Sequence, residues 1–138
     1  LAGSDSEIPF MSLGIENSRR FRAFPVWATL MAYGRKGIRD NILSNIRQAG
    51  ILANWIDKSD KFELVKPCEL NVVLFKPSSI MIPHTSDECI NKLNESGQVF
   101  LTPGRWNGKA IIRAALSNWS TSDDDVQRVI ATLNNLKG

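Results

Sequence analysis

Apolar residues at Ile38, Ile42, Leu43, Ile46, Ala49, Leu52 and Ile56 recur at three- and four-residue intervals, the spacing that lines one face of a helix. They predict an amphipathic helix over residues 37–57 with its basic and polar positions outside. After the turn-like DKSDK, the runs FELV and ELNVVLFK are rich in branched and aromatic residues and are separated by Pro67. They read as neighbouring antiparallel strands, the second ended by Lys76, Pro77 and two serines. Thr85 or Ser86 can cap a helix carrying Ile90 and Leu93, with Gly97 as its stop. VFLT and KAIIRAALS predict two more strands around PGRWNG, whose Pro, Gly and Asn-Gly steps suit a hairpin. The last helix starts at Ser-Thr-Ser caps, sets Asp123, Asp124 and Asp125 at its positive end, and carries Val126, Val129, Ile130, Leu133 and Leu136 on one face.

The chain before Gly37 follows another rule. Residues 1–14 (LAGSDSEIPFMSLG) hold no sustained period and read as an extended lead-in. Residues 15–36 read as a connecting helix: Ser18 is its cap, Pro25 should kink or restart it, and Gly34 stops it. Phe21, Phe24, Val26, Trp27, Leu30 and Met31 lie almost all round that helix. A small domain touching it on one side cannot bury them all, so a second surface is implied. The element order is helix, helix, strand, strand, helix, strand, strand, helix. That order predicts an α+β domain over 37–138, an antiparallel sheet of about four strands covered by helices.

Composition adds bounds. A chain of 138 residues with 43% hydrophobic content suits one soluble domain with a core of its own. The formal charge of +3 is concentrated: residues 19–47 hold seven bases against one acid. Nucleic-acid binding would interleave such charges with exposed aromatics, whereas here they bracket a compact apolar block. A docking helix with charged ends fits better, and no nucleic-acid partner is expected. The apolar stretch Phe24 to Tyr33 is far short of the roughly 20 residues a membrane span needs. Two cysteines, no secretory leader and a start at Leu1 without methionine lead us to expect a cytoplasmic protein and a piece of a longer polypeptide.

Candidate chemistry is sparse. His84, the one histidine, has no metal-ligand spacing to Cys68 or Cys89 and reads as a loop residue capping the next helix. Both cysteines read as packing residues. Three acids in a first helical turn answer the macrodipole, so no metal site is expected at Asp123–Asp125. The glycines of GRWNG lead into a strand, not a helix, which excludes a phosphate loop. Arg113 is more informative. Alternation sets Ile111, Arg113 and Ala115 on one strand face and Ile112, Ala114 and Leu116 on the other. A buried arginine there needs an anion, either an acid of this chain in a salt bridge or a carboxylate or phosphate brought by a ligand. On this logic alone the salt bridge is favoured.

The blocks SRRFRAFPVWATLMAYGRKGIRDNI and VFLTPGRWNGKAIIRAALSNWSTSDDDV together resemble the C-terminal part of the group II pyridoxal-phosphate-dependent amino acid decarboxylases, which include the aromatic-L-amino-acid, histidine and glutamate enzymes. The likeness covers residues 13–137. The first block, with its RRFR run, Trp27 and YG-x-KG step, is the more specific. The resemblance implies the small C-terminal domain of a fold-type I enzyme preceded by the helix that joins it to the large domain. In that family pyridoxal 5'-phosphate is held by a lysine following a histidine in the large domain. No His-Lys pair occurs here, so no catalytic or cofactor-binding residue is expected in this chain, and it should not decarboxylate an amino acid alone. The implied partners are the large cofactor-binding domain, a second copy in a homodimer, and an amino acid substrate. The 16–36 segment would pack on the large domain near the dimer interface. Arg113 matches a strand arginine that meets a substrate carboxylate in the glutamate-specific branch, and Arg105 and Trp106 lie in a hairpin that can approach the active-site mouth. Ser120 departs from the family, where a basic residue is common before the Thr of SNW-x-T. The alternative is a non-catalytic interaction domain, or a subunit that assembles with a separate large-domain chain.

Overall fold

The computed structural model describes residues 20–81 and 83–136; the 1–14 lead-in and the Ser18 cap lie outside them. The chain divides into two compact units, Leu1–Lys36 and Gly37–Gly138. Helix α1, Phe24–Asp57, is interrupted at Gly34, whose φ of 61° and ψ of −176° leave the helical region. A side chain at that backbone conformation is strained whatever space surrounds it, which is why glycine stands there. The break falls at Gly34 and not at Pro25. Residues 20–23 form a turn, closed by the Arg22 N–H donating to the Arg20 carbonyl, so Pro25 is the second helical residue. In a first turn its missing N–H has no intrahelical partner to lose.

In the first unit the apolar residues stay exposed: Phe21 by 71%, Met31 by 68% and Trp27 by 56%. Phe24 stacks on Trp27 with ring centroids 5.8 Å apart. These side chains lean on one another and find no core among the described residues of their unit.

The second unit is built on an antiparallel sheet of four strands in the order β1-β2-β4-β3, where β1 is Phe62–Leu64, β2 Val72–Pro77, β3 Thr102–Trp106 and β4 Lys109–Ala115. One sheet face supplies Phe62, Val73, Phe75, Ile112 and Ala114 to the core. From α1 come Ala49, Leu52, Ala53 and Ile56, joined by Cys89, Ile90 and Leu93 of α2 (Ser86–Glu95) and Val126 and Leu133 of α3 (Asp123–Asn135). The α1 stripe is buried only from its middle onward, for Ile42 and Leu43 are half-exposed. Phe62 and Phe75, neighbouring on β1 and β2, meet edge to face at 5.5 Å, and each buried ring contributes about 1.5–3 kcal/mol.

Strand β3 departs from the sequence reading. It is formed by TPGRW, not VFLT, and the turn is the two residues Asn107 and Gly108, both at positive φ. An Asn-Gly pair is what such a turn demands. Pro103 is admitted because β3 is an edge strand with one side unpaired, and Gly104 leaves room for Ile111 opposite, whose Cγ1 would lie 3.1 Å from a Cβ placed there. A short 3₁₀ turn, Ser79–Met81, was not legible beforehand.

Both shorter helices begin in capping boxes. Thr85 with Glu88 starts α2 and Ser122 with Asp125 starts α3. His84 is therefore not the cap: its Nε2 lies 3.0 Å from the Lys92 ammonium. Arg47 on α1 grips Asp123 through two bonds of 2.6 and 2.7 Å, tying the start of α3 to α1. The Arg47 hydrogen bonds hold the Asp123 carboxyl below its ordinary value of 3.8. Backbone and hydroxyl donors of the caps do the same for Asp125 and Glu88. Groups with depressed folded-state pKa values contribute stability above the unfolded values and lose it as pH falls through the folded ones. Thermal melts should therefore be flat near neutrality and fall below about pH 4, and Asp123→Asn should shrink that acid-side drop while lowering the neutral plateau. An unchanged acid limb in Asp123→Asn would show that the pair contributes nothing.

Candidate functional site

With Ile112 and Ala114 in the core, strand alternation turns Ile111, Arg113 and Ala115 to the opposite sheet face, as the sequence predicts. Register supplies their neighbours. Leu74 of β2 and Thr102 of β3 flank Arg113, Gly104 lies beside Ile111, and Trp106 beside Lys109. On the outer strand pair Lys76 and Glu63 are partners, joined at 2.8 Å.

A sheet with the ordinary right-handed twist brings two diagonal corners toward each other. Here those corners carry Lys66, just past β1, and Trp106, the end of β3, and the Lys66 ammonium lies 5.9 Å from the indole centroid. Ile111, between these corners by register, is 3% exposed although it belongs to the face away from the core. Arg113 stands two residues further along the same strand face. Its side chain is exposed, and it makes no hydrogen bond or ion pair with any described residue. The expected salt bridge within the chain is thus not formed among the described residues. Lys76 and Lys66 are paired with Glu63 and Glu69, which leaves the Lys109 and Arg113 side chains without an acid among the described residues, a balance that favours anions.

The structure brings Trp106 to the face of Arg113 but not Arg105, which pairs with Ala110 and points, by alternation, to the other side. Both residues belong to the strand and not to the turn. Lys66 was missed by the sequence reading, since its approach to Trp106 depends on sheet twist and on no local signal. Among the described residues no three acid, histidine or cysteine side chains gather as a metal-binding group; Asp123 and Asp125 hold Arg47 and the α3 cap. No helix among them is long and apolar enough to cross a membrane.

Comparison with known proteins decides what this arrangement belongs to. The model of the pyridoxal-dependent decarboxylase conserved domain matches residues 2–78, more than half of the chain. The chain belongs to the pyridoxal-dependent decarboxylase family. It is 27% identical over 129 residues to an aromatic-L-amino-acid decarboxylase of Catharanthus roseus, a match that covers 91% of this chain and 26% of the relative. It is 29% identical to a histidine decarboxylase of Drosophila melanogaster, over 86% of this chain and 14% of that one. Among solved structures, Catharanthus roseus tryptophan decarboxylase in complex with L-tryptophan shares the fold with a TM-score of 0.78 over 92% of this chain and 28% of that chain, at 24% identity. The chain therefore spans 14–28% of the length of these three relatives.

Pyridoxal phosphate is the cofactor of this decarboxylase family; when bound, it supplies the electron sink for bond cleavage at the amino acid's α-carbon. Its attachment takes a lysine amine in a site with phosphate and ring contacts. The described lysines do not fit. Lys61 is held by the carbonyls of Asn134 and Leu136, Lys76 by Glu63, and Lys92 by His84. Lys66 lies over Trp106, while Lys36, Lys58 and Lys109 are exposed.

Proposed function

We propose that this chain is the C-terminal part of a group II amino acid decarboxylase, which removes the α-carboxylate of an amino acid as carbon dioxide and leaves the amine, and that it is inactive until joined to the large cofactor-binding domain. The observation that carries this reading is the match to about a quarter of each decarboxylase relative together with the lack of a fitting cofactor lysine among the described residues. The exposed aromatic and aliphatic side chains from Phe21 to Tyr33 are then the surface that docks on the large domain, and the joined enzyme is a homodimer. Two free thiols suit a reducing cytoplasm. Within this reading Arg113 is the residue of this chain that meets a substrate carboxylate. Its unpaired guanidinium is a fork of donors suited to that group. Trp106 stands at the mouth on the same face, and Arg105, on the other face, is the weaker contributor.

The test is purification from the native source with intact-mass measurement and a visible absorbance scan. A larger companion polypeptide carrying bound pyridoxal phosphate is the expected result. A colourless chain that travels alone would favour the non-catalytic interaction domain instead.

A further inference from the structure

Beside β1 a cleft of about 540 Å³ opens between the last turns of α1 and the segment that follows the strand. That volume lies in the range of small-molecule sites, about 300–1,000 Å³. Its apolar wall is Ala53, Leu64 and Val65, and its polar side is Asn54 and Asp57. Asp57 is the final residue of α1, and the last turn holds no basic residue. A carboxylate there sits at the negative end of the helix dipole, the end that favours cations. The Asp57 carboxylate nevertheless makes no hydrogen bond or ion pair with any described residue. Two sources of negative potential thus converge on one rim of an apolar-walled cleft without a bound positive charge.

The remaining lining groups do not offset this. Lys66 lines the cleft, but its ammonium lies over Trp106 and 3.9 Å from Glu69. The Cys68 thiol donates toward the Leu70 and Val72 carbonyls at 3.2 and 3.6 Å, and burial pushes its pKa up, so it stays a neutral, apolar wall. A carboxylate or phosphate entering the cleft would meet Asp57 and the dipole with like charge. A neutral apolar molecule would gain nothing from the Asp57 carboxylate.

We infer that this cleft binds a small organic ammonium ion with an apolar body, its charged end on Asp57 and Asn54 and its body against Ala53, Leu64 and Val65. The binding claim rests on the cleft alone. That such cations are also the class of product an amino acid decarboxylation releases rests on the proposed function, and would make the cleft a second place for that product, one that Arg113 does not line.

The experiment is a ¹⁵N NMR titration of the chain with phenethylammonium at neutral pH, with phenylpropionate as the anionic counterpart of similar shape. Saturable shifts confined to amides near residues 50–58 and 64–68 are expected, with no response there to phenylpropionate. Asp57→Asn, an exposed change that relieves a like charge at the helix end and should not lower the melting temperature, should weaken phenethylammonium binding about tenfold, the scale of a lost charge-assisted hydrogen bond. No saturable shift, shifts centred elsewhere, an equal response to phenylpropionate, or undiminished binding by Asp57→Asn would each overturn the inference. None of these outcomes depends on whether the joined enzyme decarboxylates anything.

Discussion

Arg113→Ala in the joined enzyme is expected to lower kcat/KM for an amino acid with an acidic side chain by about tenfold to a hundredfold, while leaving an aromatic substrate much less affected. The magnitude is that of a hydrogen bond to a charged group removed from one partner. The direction follows from the proposed role: the guanidinium is exposed and no described acid answers it, so truncation would remove a contact with the substrate and none within the described residues. Arg113→Lys should recover part of the loss, because the charge returns and the planar fork does not. Surface changes without structural partners leave stability nearly unchanged, so the melting temperature of Arg113→Ala should match the parent. An equal fall in folded protein and in turnover for every substrate would assign Arg113 a structural role.

Phe75→Ala is expected to cost about 3–5 kcal/mol, enough to unfold much of the second unit at ordinary temperature. Phe75 is fully buried on β2, edge-on to Phe62 at 5.5 Å, in the cluster that joins the sheet to all three helices. Its removal forfeits apolar burial and leaves a cavity whose walls belong to different elements and cannot close independently. Denaturant melts followed by circular dichroism would measure it. Phe100→Ala is the control, since Phe100 is 83% exposed and its loss should change stability by a few tenths of a kcal/mol. Similar losses in the two variants would mean that the core is not where the sheet and helices meet.

Much of the fold is legible in the sequence wherever the signal is local. The Ala49, Leu52 and Ile56 spacing, the Thr85–Glu88 and Ser122–Asp125 caps and the Gly34 break each declare an element within a few residues. The third strand was misplaced because Pro103 and Gly104 are turn residues by local chemistry. What admits them to a strand is an edge position and the bulk of Ile111 opposite, both set by long-range pairing. The candidate site divides in the same way. Arg113 could be assigned to a face by alternation, but its isolation from acids could not, and neither could the meeting of Lys66 with Trp106 across the twisted sheet. The Arg47–Asp123 pair spans 76 positions and left no local trace. The large apolar residues from Phe21 to Met31 are exposed, although the helix itself starts only at Phe24.

The central claim, that this chain is the part of a decarboxylase that cannot act alone, is tested most directly by assaying amine and carbon dioxide formation from a panel of aromatic, acidic and histidine substrates. The chain by itself is compared with the chain joined to the cofactor-binding portion of the enzyme, pyridoxal phosphate being supplied to both. The chain alone should show no turnover and no cofactor absorbance, and the joined protein should show both. Decarboxylation by the isolated chain, or a joined protein that holds the cofactor yet decarboxylates no amino acid, would contradict it.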